Sequence, residues 1–147
     1  RAIDVGAEVA LADVADATGL QREQGRLARP VAGPVVGGFG VHKDASLGIP
    51  VVRRGVELRS RPGELVHAIA AGRVRFVGEV PGLGRGLALD HGDGYVSILA
   101  HLGTIHCAVG DQVGDGDALA EAASSSVYLE LAQAGTPIDP TQWISPR

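Results

Sequence analysis

Residues 126–131 alternate strictly between polar and apolar side chains. A period of two places every second side chain on the same face of a β-strand. One face of this strand carries three aliphatic side chains suited to a core, namely Val127, Leu129 and Leu131. The opposite face displays Ser126, Tyr128 and Glu130. A chain built around such a strand must bury one face of a sheet and leave the other face open for contact.

The composition favours short strands joined by tight turns. Glycine accounts for 22 of the 147 residues and aromatic residues for only 3%, which suits a β-rich fold better than a helical bundle. The length allows one domain with its own hydrophobic core, and the lone Trp143 is expected to cap one end of that core. We therefore predict a mainly β fold, in which a compact antiparallel β-sheet or sandwich follows a short N-terminal helix.

The first 24 residues differ in pattern from the rest of the chain. Apolar residues recur at helical spacing between residues 3 and 17, and Gly19 can end a helix there. We expect residues 1–24 to be the helix and linker at the end of a longer arm, and residues 25–147 to form the domain. A plain tail helix is the alternative. The first residues form no apolar targeting segment, so any signal is expected upstream.

Turn residues divide the domain into strand candidates. Residues 65–69 and 73–80 flank a short turn and are predicted to form a hairpin, with alternate side chains such as Phe76 facing the core. Residues 91–94 predict a primed hairpin turn, because their glycines supply positive φ. A strand is predicted to follow over residues 95–102.

The first part of the domain is less regular. Pro34 restricts its opening strand to a sheet edge, and residues 42–50 are predicted to form a loop. Alternation across residues 51–59 then indicates one strand with two faces. The buried face is expected to hold Val52, Val56 and Leu58. Arg53 and Glu57 share the other face and therefore point the same way.

Charge and motif spacing exclude several functional classes. The formal net charge is −4 and the arginines are scattered among acids, so no basic stripe is available to nucleic acid. Residues 82–86 are rich in glycine but precede a strand, which argues against a dinucleotide fingerprint. The aspartates of residues 111–117 indicate turns, because the bidentate glutamate of a calcium loop is missing. Cys107 can form no internal disulfide and is predicted to be a buried thiol.

Short motifs follow one another in a distinctive order along residues 25–145. Among them are Arg53-Arg54-Gly55-Val56-Glu57, Asp90-His91-Gly92-Asp93-Gly94-Tyr95, Ala100-His101-Leu102, Tyr128-Leu129-Glu130 and Asp139-Pro140-Thr141-Gln142-Trp143. Each motif is weak alone, but their common order makes the set specific. Together they resemble the LytM/lysostaphin type of zinc metallopeptidase domain.

The resemblance implies which positions would hold and use the zinc. The family's ligands fall at Arg53, Glu57 and Tyr128, and its catalytic histidines fall at His101 and Ser126, so only His101 is retained. A guanidinium has no lone pair for a metal and stays protonated, and a tyrosine could bind only as phenolate. A serine cannot carry a proton near neutral pH as histidine does. We therefore predict no metal site, no catalytic residue and no cofactor.

The altered positions resemble the degenerate LytM domains of EnvC/NlpD-type murein hydrolase activators. This resemblance implies a non-catalytic regulator that activates a periplasmic, zinc-dependent N-acetylmuramoyl-L-alanine amidase for septal peptidoglycan splitting in cell division. Peptidoglycan itself is a second expected partner, and a division complex is expected to act through the region before Arg1. The partner-binding groove is expected to consist of Arg53, Arg54, Glu57, His101, Ser126, Tyr128 and Glu130.

Two other functions remain open from the sequence. An active zinc endopeptidase of peptidoglycan could use a rebuilt metal site of Glu57, His101 and either His42 or His106. A lipoyl- or biotin-carrier domain would need a modified lysine on a hairpin turn, whereas the only lysine, Lys43, is predicted to lie in a loop.

Overall fold

The computed structural model describes residues 20–43 and 48–146 of the chain. As the glycine content predicts, these residues form short antiparallel strands joined by turns. The strands are β1 (Val35–Gly37), β2 (Gly40–Lys43), β3 (Pro50–Arg53), β4 (Gly55–Arg59), β5 (Leu65–His67), β6 (Gly72–Val80), β7 (Gly84–Gly92), β8 (Tyr95–Ala100), β9 (Leu102–Ile105), β10 (Gln112–Val113), β11 (Ala118–Ala122), β12 (Ser126–Gln133) and β13 (Thr136–Ile138). One turn of 3₁₀-helix, Pro140–Gln142, follows β13.

Eight strands form the large sheet, in the order β1-β4-β12-β8-β7-β6-β10, with β13 paired to β12. The alternating segment lies in β12, flanked by β4 and β8. The turn predicted at residues 91–94 joins β7 to β8, and Gly92, Asp93 and Gly94 all have positive φ. A smaller sheet has the order β5-β11-β9, while β2 and β3 form a separate hairpin.

The hydrophobic core draws on both sheets. Aliphatic side chains reach it from each of them, among them Leu58, Leu87, Val66 and Leu119. The alternation predicted for β12 is confirmed, because Val127, Leu129 and Leu131 are fully buried. Burying one leucine contributes about 1.5–3 kcal/mol relative to leaving it exposed. The mainly β, antiparallel fold predicted from the sequence is therefore the fold observed.

Trp143 closes one end of the core, as predicted. Its indole packs against Tyr95, with ring centroids 5.4 Å apart. Leu27 forms a parallel bridge with Ile144, and the N–H groups of Gly25 and Leu27 both donate to the Trp143 carbonyl. Residues 25–27 therefore lie beside the residues that complete the core.

Three local predictions are wrong. Residues 65–69 and 73–80 do not form a hairpin, because β5 pairs with β11 while β6 pairs with β7. Residues 42–50 are not a continuous loop, since both ends of that segment belong to the β2–β3 hairpin. The side chain of Val52 is 72% exposed, because the strand breaks at Arg54 and β3 belongs to that hairpin rather than to the large sheet.

Phe76 also faces the opposite way from the prediction. A β-bulge between Val74 and Phe76 interrupts the alternation, so Val74 is buried whereas Phe76 is 42% exposed. The Phe76 ring lies over Gly78, where an added Cβ would come within 3.1 Å of the ring. The aromatic side chain therefore covers a glycine on the outer face of the sheet.

One further prediction concerns the N-terminal segment of the chain. The helix predicted between residues 3 and 17 lies outside the described residues. Within residues 20–43 and 48–146, no helix is both long enough and apolar enough to cross a bilayer.

Cys107 is partly rather than fully buried, and this burial raises the pKa of its thiol.

A histidine is built into the end of β7. His91 Nδ1 lies 2.8 Å from the Ala71 carbonyl, which can only accept, so Nδ1 carries the proton. Nε2 then accepts from the Ser97 hydroxyl at 2.8 Å. Burial disfavours the imidazolium and holds the pKa of His91 below its ordinary value, although the Ala71 carbonyl and the nearby Asp90 carboxylate oppose this.

Acid is therefore expected to destabilise the domain through His91. Below about pH 6.5 the unfolded chain binds a proton on this ring that the folded chain resists, so unfolding becomes more favourable as the pH falls. Above that pH both states hold the neutral ring and the contribution is constant. Urea unfolding at about pH 7.5 and about pH 5.5 measures the loss, and His91→Gln is expected to reduce it. Equal pH dependence in both proteins would contradict this role.

Candidate functional site

The exposed face of β12 forms the floor of an open groove. Cross-strand register places Tyr128 opposite Glu57 of β4 and opposite Ala100 of β8. The groove has a volume of about 490 Å³, and its charged and aromatic lining consists of Arg53, Arg54, Glu57, Tyr128 and Glu130. His101 lies beside Tyr128, and Ser126 bonds to Glu57. The structure thus brings together all seven residues named from the sequence.

Glu57 is held through both of its carboxylate oxygens. Ser126 donates from its hydroxyl to Oε1 at 3.0 Å. The Arg53 guanidinium lies 3.7 Å from Oε2, with the two side chains 46% and 32% exposed. At that exposure the ion pair contributes only ~0–1 kcal/mol to stability. The pair matters chemically because it places a cation, rather than a metal ligand, beside the carboxylate at the centre of the site.

Tyr128 is held against the sheet. Its hydroxyl donates to Glu130 Oε1 at 2.8 Å. Its ring occupies the space over Gly55, where an added Cβ would lie 2.6 Å from Tyr128 Cζ and 2.5 Å from the Leu129 carbonyl oxygen. Burial and the bond to Glu130 raise the pKa of the phenol above its ordinary value, and the positive charge of Arg54 only partly opposes them. The phenol therefore stays protonated at physiological pH and acts as a donor.

His101 lies between β8 and β9 in a left-handed conformation, with φ of 61°. This conformation is uncommon for a residue with a Cβ and costs about 1 kcal/mol or more. Two backbone hydrogen bonds hold it, because its N–H donates to the Leu83 carbonyl and its carbonyl accepts from Ala123. Its ring centroid lies 6.1 Å from that of Tyr128. The surrounding turns therefore position an imidazole at the edge of the groove.

The rest of the groove lining is apolar and was missed by the sequence interpretation. Besides Gly55, it consists of Val51, Val52, Val80, Pro81, Leu83 and Ile98. Ile98 could have been found, since alternation along β8 places it on the face opposite the buried Leu99. The valines of β3 and the residues joining β6 to β7 could not, because their approach to the floor depends on tertiary pairing.

Residues 51–140, which include most of the groove, match the model of Peptidase family M23. The chain belongs to this family. One relative of this M23 domain is the murein hydrolase activator EnvC of Escherichia coli, 29% identical over 132 residues, or 86% of this chain and 30% of EnvC. The lipoprotein NlpD/LppB homologue of Pseudomonas aeruginosa is 29% identical over 130 residues, or 80% of this chain and 43% of that protein. The chain spans less than half the length of the curated relatives it matches.

A solved structure shares the fold of the M23 domain. The crystal structure of a zinc-containing peptidase from Vibrio cholerae superimposes with a TM-score of 0.74 over 84% of this chain and 41% of that one. Sequence identity between the two is 22%, so this likeness concerns the fold alone. The family match over residues 51–140, together with this shared fold, confirms the resemblance to LytM-type domains.

The groove of this M23 domain does not fit zinc. Zinc takes thiolate, imidazole or carboxylate ligands at about 2.0–2.3 Å. Arg53 has no lone pair to give, and Tyr128 is a protonated donor bonded to Glu130. The groups beside Glu57 are therefore a cation and a hydroxyl donor rather than further ligands. In the part of the chain that the structure describes, no three His, Cys, Asp or Glu residues form a group that could hold a metal.

Among the residues that the structure describes, neither alternative left open by the sequence has an assembled site. His106 follows β9, and its Nε2 lies 2.9 Å from Oε2 of Glu121 on β11, at the smaller sheet rather than in the groove. The side chain of His42 lies outside the described residues. The loop position predicted for Lys43 is wrong, because this residue ends β2, so it does not occupy the tight turn that a carrier domain requires.

Proposed function

We propose that this chain is a catalytically inert M23 domain that binds and activates a cell-wall N-acetylmuramoyl-L-alanine amidase. The observation that carries the proposal is that the Arg53 guanidinium and the protonated Tyr128 lie beside Glu57, where a hydrolytic site would need further metal ligands. Similarity to EnvC, a murein hydrolase activator, supports a regulatory role. The chain covers only 30% of EnvC. Amidase activation is therefore our proposal for this chain and is not taken directly from the function of EnvC.

The groove has the composition of a protein-recognition surface. Aromatic and arginine side chains supply most of the binding energy of interfaces, and neighbouring apolar contacts exclude water from them. Tyr128 and Arg54 lie here among apolar residues such as Leu83 and Ile98. Arg54 is exposed, and the ion pairs among the described residues do not include it. We propose that the partner segment brings apolar side chains to this lining and a carboxylate to Arg54.

Activation requires the domain to bind the open form of the amidase more tightly than the closed form. Moving an equilibrium from 1:99 to 99:1 takes about 5.5 kcal/mol of differential binding energy. Single aromatic or arginine anchors commonly contribute about 2 kcal/mol or more. A groove with Tyr128, Arg53 and Arg54 therefore has enough anchors to drive such a switch.

The cellular setting follows from the same proposal. A lipoprotein among the relatives supports a place in the cell envelope. We place the domain in the periplasm, where it would direct septal peptidoglycan splitting during cell division. In this view residues 25–147 form the M23 domain, and residues 1–24 connect it to an upstream division complex.

Dye release from labelled sacculi tests the proposed activation. The sacculi are incubated with this chain alone, with each candidate zinc-dependent amidase alone, and with both proteins together. Release is expected from one mixture, at least about tenfold above the release by that amidase alone, because the chain shifts the enzyme towards its open form. Release by this chain alone, or no stimulation of any periplasmic amidase from the same cell, would contradict the proposal.

Metal analysis separates the inert domain from an active endopeptidase. After exposure to zinc and dialysis, the purified chain is expected to retain less than ~0.1 zinc per molecule, because the groove lacks ligands that could hold the ion. The amidase itself serves as the positive control. One tightly held zinc per chain, together with cleavage of wall peptides, would favour the rebuilt metal site.

A further inference from the structure

A second concave surface lies at the end of β4. It has a volume of about 900 Å³ and is formed by residues 32–34 on one side and residues 59–64 on the other. Two of its lining residues are Arg59 and Arg61, and we call it the arginine cleft. Its volume is within the range that accommodates a small ligand or a few residues of a peptide. It shares no residue with the set proposed to bind the amidase.

Close backbone contacts hold the two sides of the arginine cleft together. Gly33 packs so tightly on β4 that an added Cβ would collide with the Arg59 carbonyl oxygen. The Pro34 carbonyl accepts from the Arg59 N–H at 2.8 Å. Arg29 donates to the Gly33 carbonyl at 2.8 Å and to the Ser145 carbonyl at 2.9 Å. The cleft is therefore a preformed part of the fold.

Most other polar groups that line the cleft are hydrogen-bonded to other residues of the domain. The Ser60 N–H donates to the Ser125 carbonyl, and the Ser60 hydroxyl donates to the Ser124 carbonyl. Glu64 accepts from the Arg61 N–H at 2.9 Å through its side chain. These bonds leave few free donors in the cleft apart from guanidinium groups.

The guanidinium groups of Arg59 and Arg61 remain available to a ligand. Both residues are exposed, and neither takes part in an ion pair with another described residue. The chain as a whole has a formal net charge of −4. The charged residues that line the cleft are two arginines and one acid, Glu64, so its local charge is positive and attracts anions. A guanidinium binds a carboxylate through two parallel hydrogen bonds. The chemistry therefore favours a ligand that carries free carboxylates.

We propose that the arginine cleft binds a carboxylate-bearing peptide of the cell wall. An open cleft of this volume fits a few residues of an extended peptide, and the two guanidinium groups select its free carboxylates. Arg59 lies opposite Ser126 in the register of β4 and β12, so the cleft adjoins one end of the groove. If an amidase occupies the groove, the cleft holds wall peptide beside it; binding in the cleft does not itself depend on that enzyme.

A titration of the isotope-labelled chain followed by NMR tests this site. The probes are a murein disaccharide-tetrapeptide, chitotetraose, which has no carboxylate, and triglutamate. The disaccharide-tetrapeptide is expected to shift amide signals of residues 32–34 and 59–64, whereas chitotetraose shifts none of them. No shift at about millimolar probe, or shifts confined to the groove, would overturn the proposal. Equal shifts with triglutamate would overturn the wall peptide as the ligand and indicate an acidic protein segment.

Two variants with the same change in net charge distinguish binding in the arginine cleft from a general effect of charge. The double variant R59E/R61E is expected to weaken binding at least about tenfold. R22E/R26E makes the same change in net charge at two exposed arginines outside the cleft, and it is expected to stay within about twofold of the unmodified chain. Equal losses in both variants would overturn the proposal. Tyr128→Ala is expected to leave this titration unchanged while lowering amidase activation, so the two proposals fail separately.

Discussion

Replacing Tyr128 with alanine is expected to raise the concentration of this domain needed for half-maximal amidase activation by about thirtyfold or more. The substitution removes the aromatic ring over Gly55 and the contact with His101, and it leaves the Glu130 carboxylate without its donor. The fold is expected to persist, because the side chain lies on the face of β12 that points away from the core. Dye release with increasing amounts of domain measures the change, and circular dichroism checks the fold.

Arg54→Glu is expected to lower activation by a comparable factor through charge reversal at the same groove. Because Arg54 is exposed, the substitution should not disturb the core. Arg26→Glu is the control, since it makes the same charge change at an exposed arginine that does not line the groove. Activation at the unmodified level by both Tyr128→Ala and Arg54→Glu would show that the partner binds elsewhere.

Leu129→Ala is expected to destabilise the domain by about 3–5 kcal/mol. Leu129 is fully buried, and it pairs with Val56 on one side and Leu99 on the other. Removing its side chain leaves a cavity between strands that cannot easily close. Since domains of this size are stable by about 5–15 kcal/mol, much of the free energy of unfolding would be lost. Urea unfolding followed by circular dichroism measures it.

Leu65→Ala is the matched control for this core substitution. Leu65 is 48% exposed on β5, so the same change in side chain should alter the free energy of unfolding by only about 0.5 kcal/mol. A similar loss of unfolding free energy in both variants would contradict the prediction that burial of Leu129 in β12 stabilises the domain.

The fold could be predicted wherever alternation and turn chemistry agreed. Residues 126–131 alternate cleanly and form a central strand, and residues 92–94 form the expected turn. Prediction failed where pairing depends on distant strands. Residues 65–69 looked like half of a hairpin, yet β5 pairs with β11, and the bulge next to Phe76 left no clear signal in the sequence.

The polar part of the groove could be named from sequence because its members lie in motifs that resemble one family. The hydrogen bonds of Ser126 with Glu57 and of Tyr128 with Glu130 could not be named. They depend on the cross-strand register of β4 with β12 and on side-chain rotamers. The apolar lining from the β2–β3 hairpin was missed for a related reason, since a break at Arg54 separates β3 from the large sheet.

The place where the chain enters the domain bears on how such a domain can be reused. Gly25 and Leu27 bond to Trp143, and Ser145 bonds back to Leu27, so entry and exit lie side by side. A domain whose ends lie close together can be joined to other modules without rearranging its sheets. Adjacent ends are consistent with the occurrence of similar domains in proteins of different length.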